Sequence, residues 1–328
     1  MFSTAGVYLK TVILAAGPGR RFGNLTKYIP KPLLPVANRP VIKRLLKTLE
    51  NVGIKETIIV VGHLGDKIIK EINASENLNL QIRYIKANQY TKGPIFSFLS
   101  TINELLGEDF ILCPADCLVS PHTIKKLLED AKNKTTLVAC EHTKKGASIF
   151  IGNDLEVKGL ITPVKKWTRT AKSMGIMYVT SEFLKYVEKA VEKGKTKITD
   201  AINIAIKEGM EIKAIYVRDQ NWFDIDNISI LLEANKHYLE KLLHIDRKWG
   251  IPDVKIFHPV LLGDEVHIEE NCEIGPYVSI DKKVQIGEKC KLKNAIVLKE
   301  SKIPPRSILF DGVFYKDTFY RKKRGIYV

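Results

Sequence analysis

Between Val12 and Val36 the chain reads VILAAGPGRRFGNLTKYIPKPLLPV, and these residue types at this spacing suit the holding of phosphate groups. Ala15-Ala16-Gly17-Pro18-Gly19 follows an apolar β-branched run, and its small side chains let a ligand approach the backbone closely. Backbone N–H groups in such a turn form a nest for phosphate oxygens. Arg20 and Arg21 come next, and guanidinium groups grip phosphate with a paired geometry. Lys31, wedged between Pro30 and Pro32, would be a point charge on a stiffened segment. The plainer interpretation is a tight strand-to-helix turn, because many turns carry a GxG. The full combination of strand, AAGxG, arginine and PKPLLPV is far more specific.

A frame must position these groups, and hydrophobic periodicity indicates which. TVILAA is followed by PVIKRLLKTLENVG, where Val41, Ile42, Leu45, Leu46, Leu49 and Val52 mark one helical face. Pro40 suits the first turn of that helix and Gly53 its C-terminal cap. TIIVVG, QIRYIKA, DFILCPAD and TTLVAC read as further strands, with LGDKIIKEIN, IFSFLSTINELLG and PHTIKKLLEDAK as helices between them. The alternation predicts an α/β fold, a Rossmann-like, mostly parallel sheet with helices on both faces. Ligands in such folds sit outside the C-terminal ends of the strands.

The last quarter has a different period. Steps of six connect Ile256, Leu262, Ile268, Ile274, Ile280, Ile286, Leu292 and Leu298. The same step connects Val254, Val260, Val266, Cys272, Val278, Val284, Cys290 and Ile296. Six-residue periodicity predicts a short left-handed parallel β-helix of about two and a half coils. Gly263, Asn271, Gly275 and Gly287 fall between the ladders as turn residues. LHIDRKWGIPDVK breaks the helical pattern near 242–253, so a first domain is expected over 1–242. A β-helix domain is expected over 243–328, ending in the basic tail YRKKRG.

Composition narrows the partners. Lysine and arginine total 52 against 37 aspartates and glutamates, a net charge of +15. That balance favours polyanionic partners. The positive charge is nevertheless scattered through mixed-sign stretches such as EKAVEKGKTK, which argues for a solvated, anion-attracting surface over a nucleic-acid interface. No run of about 18 uncharged apolar residues is present, so no membrane span is expected. MFSTAGVYLKTVILAAG reads as a first strand rather than a signal peptide. Cys113, Cys117, Cys140, Cys272 and Cys290 include no CxxC, and a reduced cytoplasmic compartment fits them best.

LAAGPGRRF, NLT and PKPLLPVANRPVI resemble the signature of the sugar-1-phosphate nucleotidylyltransferases, whose pattern runs LAAGxGTRL, PLT and PKPLLPVANxPxI. NWFDIDNISILLEANKHYL is similar to that family's W-x-D and leucine-rich helix, and GIMYV to its Gly-Ile-Tyr strand. A C-terminal hexapeptide β-helix is common in these enzymes, so the resemblance covers nearly the whole chain. It implies transfer of a nucleoside monophosphate from an NTP to a sugar 1-phosphate, with release of pyrophosphate. UTP or dTTP is the favoured nucleotide, a guanine or cytosine nucleotide stays open given the altered base loop, and so does the sugar.

The resemblance also implies roles. Leu14, Ala15, Ala16, Gly17 and Gly19 would bind the nucleotide together with Asn88, Gln89 and Gly93 of a base-reading loop. Arg21 would hold the departing phosphates, and Lys31 would neutralise charge near the α-phosphate or the leaving pyrophosphate. Mg2+ would be held by Asp116, which ends FILCPAD, and Asp224, which follows Trp222-Phe223. Asp116 could instead be a cap or turn residue, and the rival to Asp224 is its near neighbour Asp226, which could cap the helix that follows. Lys166 would meet the sugar phosphate, with Lys165 as the other choice and Gly175 nearby. Both lysines are equally readable as solvated surface residues. A homo-oligomer is expected, since open β-helix faces stack between subunits.

The chain departs from the pattern in several places. Arg20 replaces a small Thr or Ser, and Gly93-Pro94-Ile95-Phe96 replaces the usual Gly-Thr-Ala loop. Asn88 stands where a base-reading glutamine is usual, followed by Gln89. Pro114-Ala115-Asp116 replaces Asn-Gly-Asp, Lys165-Lys166 have lost the flanking residues of Glu-Lys-Pro, and Asp226 stands for a Gly. A catalytically degenerate regulatory or assembly subunit is therefore the alternative. The γ and ε subunits of the eukaryotic translation initiation factor 2B share this arrangement, and one also reads IPKPLLPV, as Ile29–Val36 do here. An acyltransferase is the weakest expectation, because His258 and His267 sit in a short repeat.

Overall fold

The computed structural model describes residues 9–74, 78–131, 135–141, 146–242 and 251–322. The junction at 243–250 and the end of the basic tail, 323–328, lie outside the described residues. Two compact units emerge. One comprises residues up to Pro18, Pro30–Leu33 and Ile42–Asp224; the other comprises Gly19–Ile29, Leu34–Val41 and Ile225 onward.

Along the chain run β1 (Lys10–Ala15), β2 (Pro35–Val36), β3 (Arg39–Pro40), α1 (Val41–Asn51), β4 (Glu56–Val61), α2 (Gly65–Asn73) and β5 (Gln81–Lys86). Then come α3 (Pro94–Leu99), α4 (Ile102–Leu105), β6 (Phe110–Pro114), β7 (Cys117–Leu118), α5 (Pro121–Asp130), β8 (Thr136–Glu141), β9 (Ala147–Ile151) and β10 (Val157–Leu160). They are followed by β11 (Arg169–Val179), α6 (Leu184–Glu192), α7 (Ile198–Lys207), β12 (Ile212–Tyr216), β13 (Phe223–Asp224) and α8 (Ile228–Lys241).

In the first unit the sheet order is β10-β9-β11-β6-β1-β4-β5, with β8 pairing both β11 and β12. β1, β4, β5 and β6 pair in parallel, as do β8 and β12. β11 runs antiparallel to β6, β8 and β9, and β10 to β9, so the sheet is mixed but parallel-rich, in keeping with the mostly parallel sheet that the alternation predicts. Successive side chains of each strand enter opposite cores. Val12, Ile58 and Phe110 face a cluster closed by α3, α4, α6 and α7, while Ile13, Ile59 and Ile111 face one closed by α1, α2 and α5. Helices therefore cover both faces. On α1 the predicted face is buried, with Leu45, Leu46 and Leu49 at most 1% exposed. Each such side chain contributes about 1.5–3 kcal/mol.

Two local expectations need correction. Pro40 ends β3 instead of opening α1, and the Val41 N–H donates to the Leu34 carbonyl at 3.1 Å. IFSFLSTINELLG is two short helices, α3 and α4. Ser100 Oγ and Thr101 Oγ1 donate to the Ser97 and Phe98 carbonyls, each at 2.7 Å, and this competition with the backbone ends α3.

The second unit contains β14 (Lys255–Ile256), β15 (Val260–Leu262), β16 (His267–Ile268), β17 (Glu273–Ile274), β18 (Val278–Ile280), β19 (Gln285–Ile286), β20 (Lys291–Val297), β21 (Lys302–Ile303), β22 (Ile308–Tyr315) and β23 (Thr318–Arg321). Lys255 pairs in parallel with Glu273, Val260 with Val278 and His267 with Gln285, each 18 residues on. Three hexapeptides thus make one coil, in the manner of a parallel β-helix. Left-handed residues mark its corners at Glu265, Asn271, Tyr277, Lys283 and Lys289.

The step of six then fails. Asn294 and Asp311 are left-handed after steps of five, and Val278 pairs with Ala295 and Ile280 with Val297. Ala295 and Val297 therefore take the inward places expected for Ile296 and Leu298. Ile296 lies beside Ser279 on the opposite side of the strand, which α8 covers. Gly263 and Gly287 are required for a different reason than turning. A Cβ there would stand 2.6 Å from Lys282 N and 2.7 Å from Pro305 N of the next coil.

Candidate active site

In the first unit the chain runs from β1 outward to β4 and β5, then returns to β6 on the other side of β1. That reversal opens a crevice at the C-terminal ends of β1 and β6. The glycine turn leaves β1 at this point and Asp116 leaves β6. The Leu14 carbonyl accepts the Ala115 N–H at 3.2 Å, and the Ala16 carbonyl accepts the His63 N–H at 3.0 Å. A Cβ added to Gly17 would meet nothing within 4 Å, so the protein's own packing does not require glycine there. Gly19 carries the left-handed conformation, with φ 64° and ψ 33°.

Lys31 and Asp116 form an ion pair, with side chains 12% and 22% exposed. Lys31 opens a 3-10 turn ending at Leu33, whose N–H donates to the Pro30 carbonyl at 2.9 Å. Asp224 ends β13, which pairs with β7 so that Asp224 stands opposite Cys117. This short ladder brings carboxylate oxygens of Asp116 and Asp224 within 4.8 Å of one another. Two hard oxygen donors at that separation fit a hard divalent cation. Asp116 is thus a turn residue between β6 and β7. Burial, reinforced by the charges of Asp116 and Asp224, pushes the Cys117 thiol well up, and burial pushes Cys113 up to about 12.

The base-reading candidates follow β5. Asn88 and Gln89 are exposed, and Gln89 Oε1 accepts from Lys92 Nζ at 3.0 Å. Gly93 adopts φ 143°, and a Cβ there would lie 2.4 Å from the Thr196 carbonyl oxygen. Pro94 opens α3, where an N–H would have no intrahelical partner, so its missing donor costs nothing. Gly93→Ala should destabilise the protein by about 2–3 kcal/mol through backbone strain and this clash. A thermal unfolding curve within 1 °C of wild type would refute that.

The sugar-phosphate candidates separate. Gly175 (φ 76°) sits in β11 beside β6, where a Cβ would be 3.3 Å from Pro114 Cγ. Lys165 and Lys166 are exposed in the loop before β11, and the Lys165 N–H donates to the Lys158 carbonyl at 3.0 Å. No hydrogen bond or ion pair of their side chains ties either lysine to other described residues, unlike Lys31. The geometry brings together Leu14–Gly17, Lys31, Asp116, Gly175 and Asp224, and no hydrogen bond or ion pair among the described residues joins the two lysine side chains to them.

In the second unit Arg21 pairs with Asp226. Asp226 does not cap α8. Asn227 does, its side chain accepting the Ile230 N–H at 3.1 Å.

A family model described as Nucleotidyl transferase matches residues 10–241. The chain belongs to the nucleotidyl transferase family. A second model, the GMPPB C-terminal domain, matches residues 256–314. Among curated relatives, a Bifunctional protein GlmU of Methanococcus aeolicus is 28% identical over 93% of this chain and 77% of its own length. A Bifunctional sugar-1-phosphate nucleotidylyltransferase/acetyltransferase of Sulfurisphaera tokodaii is 24% identical, covering 94% and 80%. A Glucose-1-phosphate thymidylyltransferase of Streptomyces antibioticus is 22% identical, covering 90% and 88%. A crystal structure of UDP-glucose pyrophosphorylase complexed with UDP-glucose superposes with a TM-score of 0.62 at 20% identity, covering 71% of this chain and 99% of that one. That likeness is one of fold.

Two residues of this nucleotidyl transferase escaped sequence reasoning. Tyr90 is one: a Cβ on Gly62 would lie 2.7 Å from its ring and 2.9 Å from Ala16 Cβ, so the ring stands at the end of β1. Thr26 is another, donating to the Gly19 and Gly23 carbonyls at 3.2 Å. The NLT motif was the available signal for Thr26; nothing in the sequence pointed to Tyr90. No helix among the described residues is long and apolar enough to cross a membrane.

Proposed function

We propose that this protein transfers a nucleoside monophosphate from an NTP to a sugar 1-phosphate. An oxygen of the sugar phosphate attacks the α-phosphorus, the bond from that phosphorus to the β-phosphate bridging oxygen breaks, and pyrophosphate leaves with the electron pair. The observation that carries this reading is the Asp116–Asp224 carboxylate pair, within 4.8 Å, at the switch point beside the open Gly17 turn.

Leu14 to Gly19 line the nucleotide, and Gly17 permits the phosphate chain to lie against backbone N–H groups. Arg21 grips the departing phosphates, and Lys31, held on Asp116 before substrate arrives, offsets the charge at the α-phosphate. Asn88, Gln89 and Gly93 face the base, and Lys166, or Lys165 in its place, would reach the sugar phosphate beside Gly175 from the exposed loop before β11. Mg2+ on Asp116 and Asp224 would draw together two phosphates that otherwise repel. UTP or dTTP is the proposed nucleotide, in keeping with the thymidylyl- and uridylyl-directed names among the relatives. A cytoplasmic homo-oligomer with domains at 1–242 and 243–328 completes the reading.

The test is pyrophosphate release with Mg2+, screening five NTPs against glucose, mannose and N-acetylglucosamine 1-phosphates. Turnover of one pair is expected. NTP binding without turnover of any pair would favour the degenerate regulatory subunit. Neither binding nor turnover would refute the phosphate cradle itself.

A further inference from the structure

The second unit contains the part of the signature that bears Arg21, together with α8 and the β-helix. Four sets of contacts hold that part in place. Arg21 pairs with Asp226, two residues before the first turn of α8, and their side chains are 69% and 30% exposed. The Ala37 N–H donates to Asn235 Oδ1 of α8 at 2.8 Å, and Ser279 Oγ of β18 donates to the same oxygen at 3.0 Å. Asn38 Nδ2 donates to the Ile280 carbonyl at 2.7 Å. Ala37 and Asn38 are both left-handed, at φ 45° and 56°, a strained pair that these bonds hold in place. Near the end of the 19–29 segment, Tyr28 lies 6.3 Å from the Tyr315 ring, with Lys316 Nζ 5.4 Å above Tyr28.

From this arrangement we infer that Asp226 is a positioning residue for the nucleotide, acting through Arg21. The inference rests on the reading of Arg21 as a phosphate-gripping residue. A guanidinium carries five N–H donors in a planar fork, so a carboxylate at one edge leaves the others for phosphate oxygens. The Arg21 pair uses Nη1, and most of the side chain stays open to solvent. An arginine already held at one edge loses less rotamer freedom when it closes on a ligand. α8 supplies the fixed reference. Asn227 caps its start, Asn235 ties it to the signature, and its body lies against β20 and β22. The β-helix is therefore the chassis on which the basic end of the glycine loop is mounted. Asp226 also explains a departure from the family pattern, which has glycine there.

The experiment compares wild type, Asp226→Ala, Asp226→Asn, Arg21→Ala and the Arg21→Ala/Asp226→Ala double variant. NTP affinity is measured by calorimetric titration without sugar phosphate, and both KM values by steady-state kinetics. Asp226→Ala should raise the NTP Kd and KM about three- to tenfold, with the sugar 1-phosphate KM within about twofold and Tm unchanged. Asp226→Asn keeps an acceptor oxygen and should fall between. In the Arg21→Ala background the same change should do nothing further.

An NTP Kd that stays the same or falls in Asp226→Ala would overturn the inference, because the carboxylate would then be idle or competing with the triphosphate. A lower Tm with both KM values shifted together would also overturn it, leaving a structural role only. If wild type binds NTP but turns over no sugar phosphate, the proposed reaction fails while the Kd comparison still decides the role of Asp226.

Discussion

Asp116→Ala is expected to lower kcat/KM on the order of a thousandfold or more, with the fold retained. Asp116 has two duties in the proposed reaction, and both are lost together. Its carboxylate stands within 4.8 Å of that of Asp224, and it pairs with Lys31. Without it a cation would lose one of its protein carboxylates, and Lys31 would lose an ion-pair partner. Asp224→Ala should cost a similar factor, while the double variant should cost little more than either alone, because the two act as one unit. Mg2+ titrations of pyrophosphate release check the assignment. A residual activity above a tenth of wild type at saturating Mg2+ would remove Asp116 from the catalytic centre.

The largest effect on stability is expected from Gly275→Ala. A Cβ there would lie 1.9 Å from the Phe257 carbonyl oxygen and 2.9 Å from Val260 Cγ2, at φ 109°. Neither neighbour can yield cheaply, since the first is backbone of the adjoining coil and the second lines the core of the β-helix. The substitution should cost more than about 3 kcal/mol. Gly53→Ala is the control, with φ 90° but nothing within 4 Å of the added atom. Its cost should be about 1 kcal/mol, from the backbone alone. Equal denaturation midpoints for the two variants would show that close approach of the coils is not what demands Gly275. Because the second unit also contains Arg21, loss of β-helix structure in Gly275→Ala should be accompanied by weaker NTP binding.

Much of this protein is encoded in short windows of sequence. The buried face of α1 follows from apolar residues at helical spacing, and β1 and the glycine turn after it follow from TVILAAGPG. Periods of two, 3.6 and six are properties of local backbone geometry, so a few consecutive residues suffice to reveal them. Asp116 was legible for the same reason, as a carboxylate just beyond an apolar strand. Only the tertiary structure decided who meets whom. Asp224 reaches Asp116 through the antiparallel β7–β13 ladder, Lys31 comes to Asp116 from a separate turn, and Asp226 holds Arg21 where helix capping by Asp226 was the local expectation. The six-residue count ran past Asn294 because one residue dropped from a corner is invisible to a period. It appears only when Val278 is seen to pair with Ala295. Local chemistry sets the direction of each side chain, but long-range partners depend on how strands and coils stack, and no short window of sequence contains that.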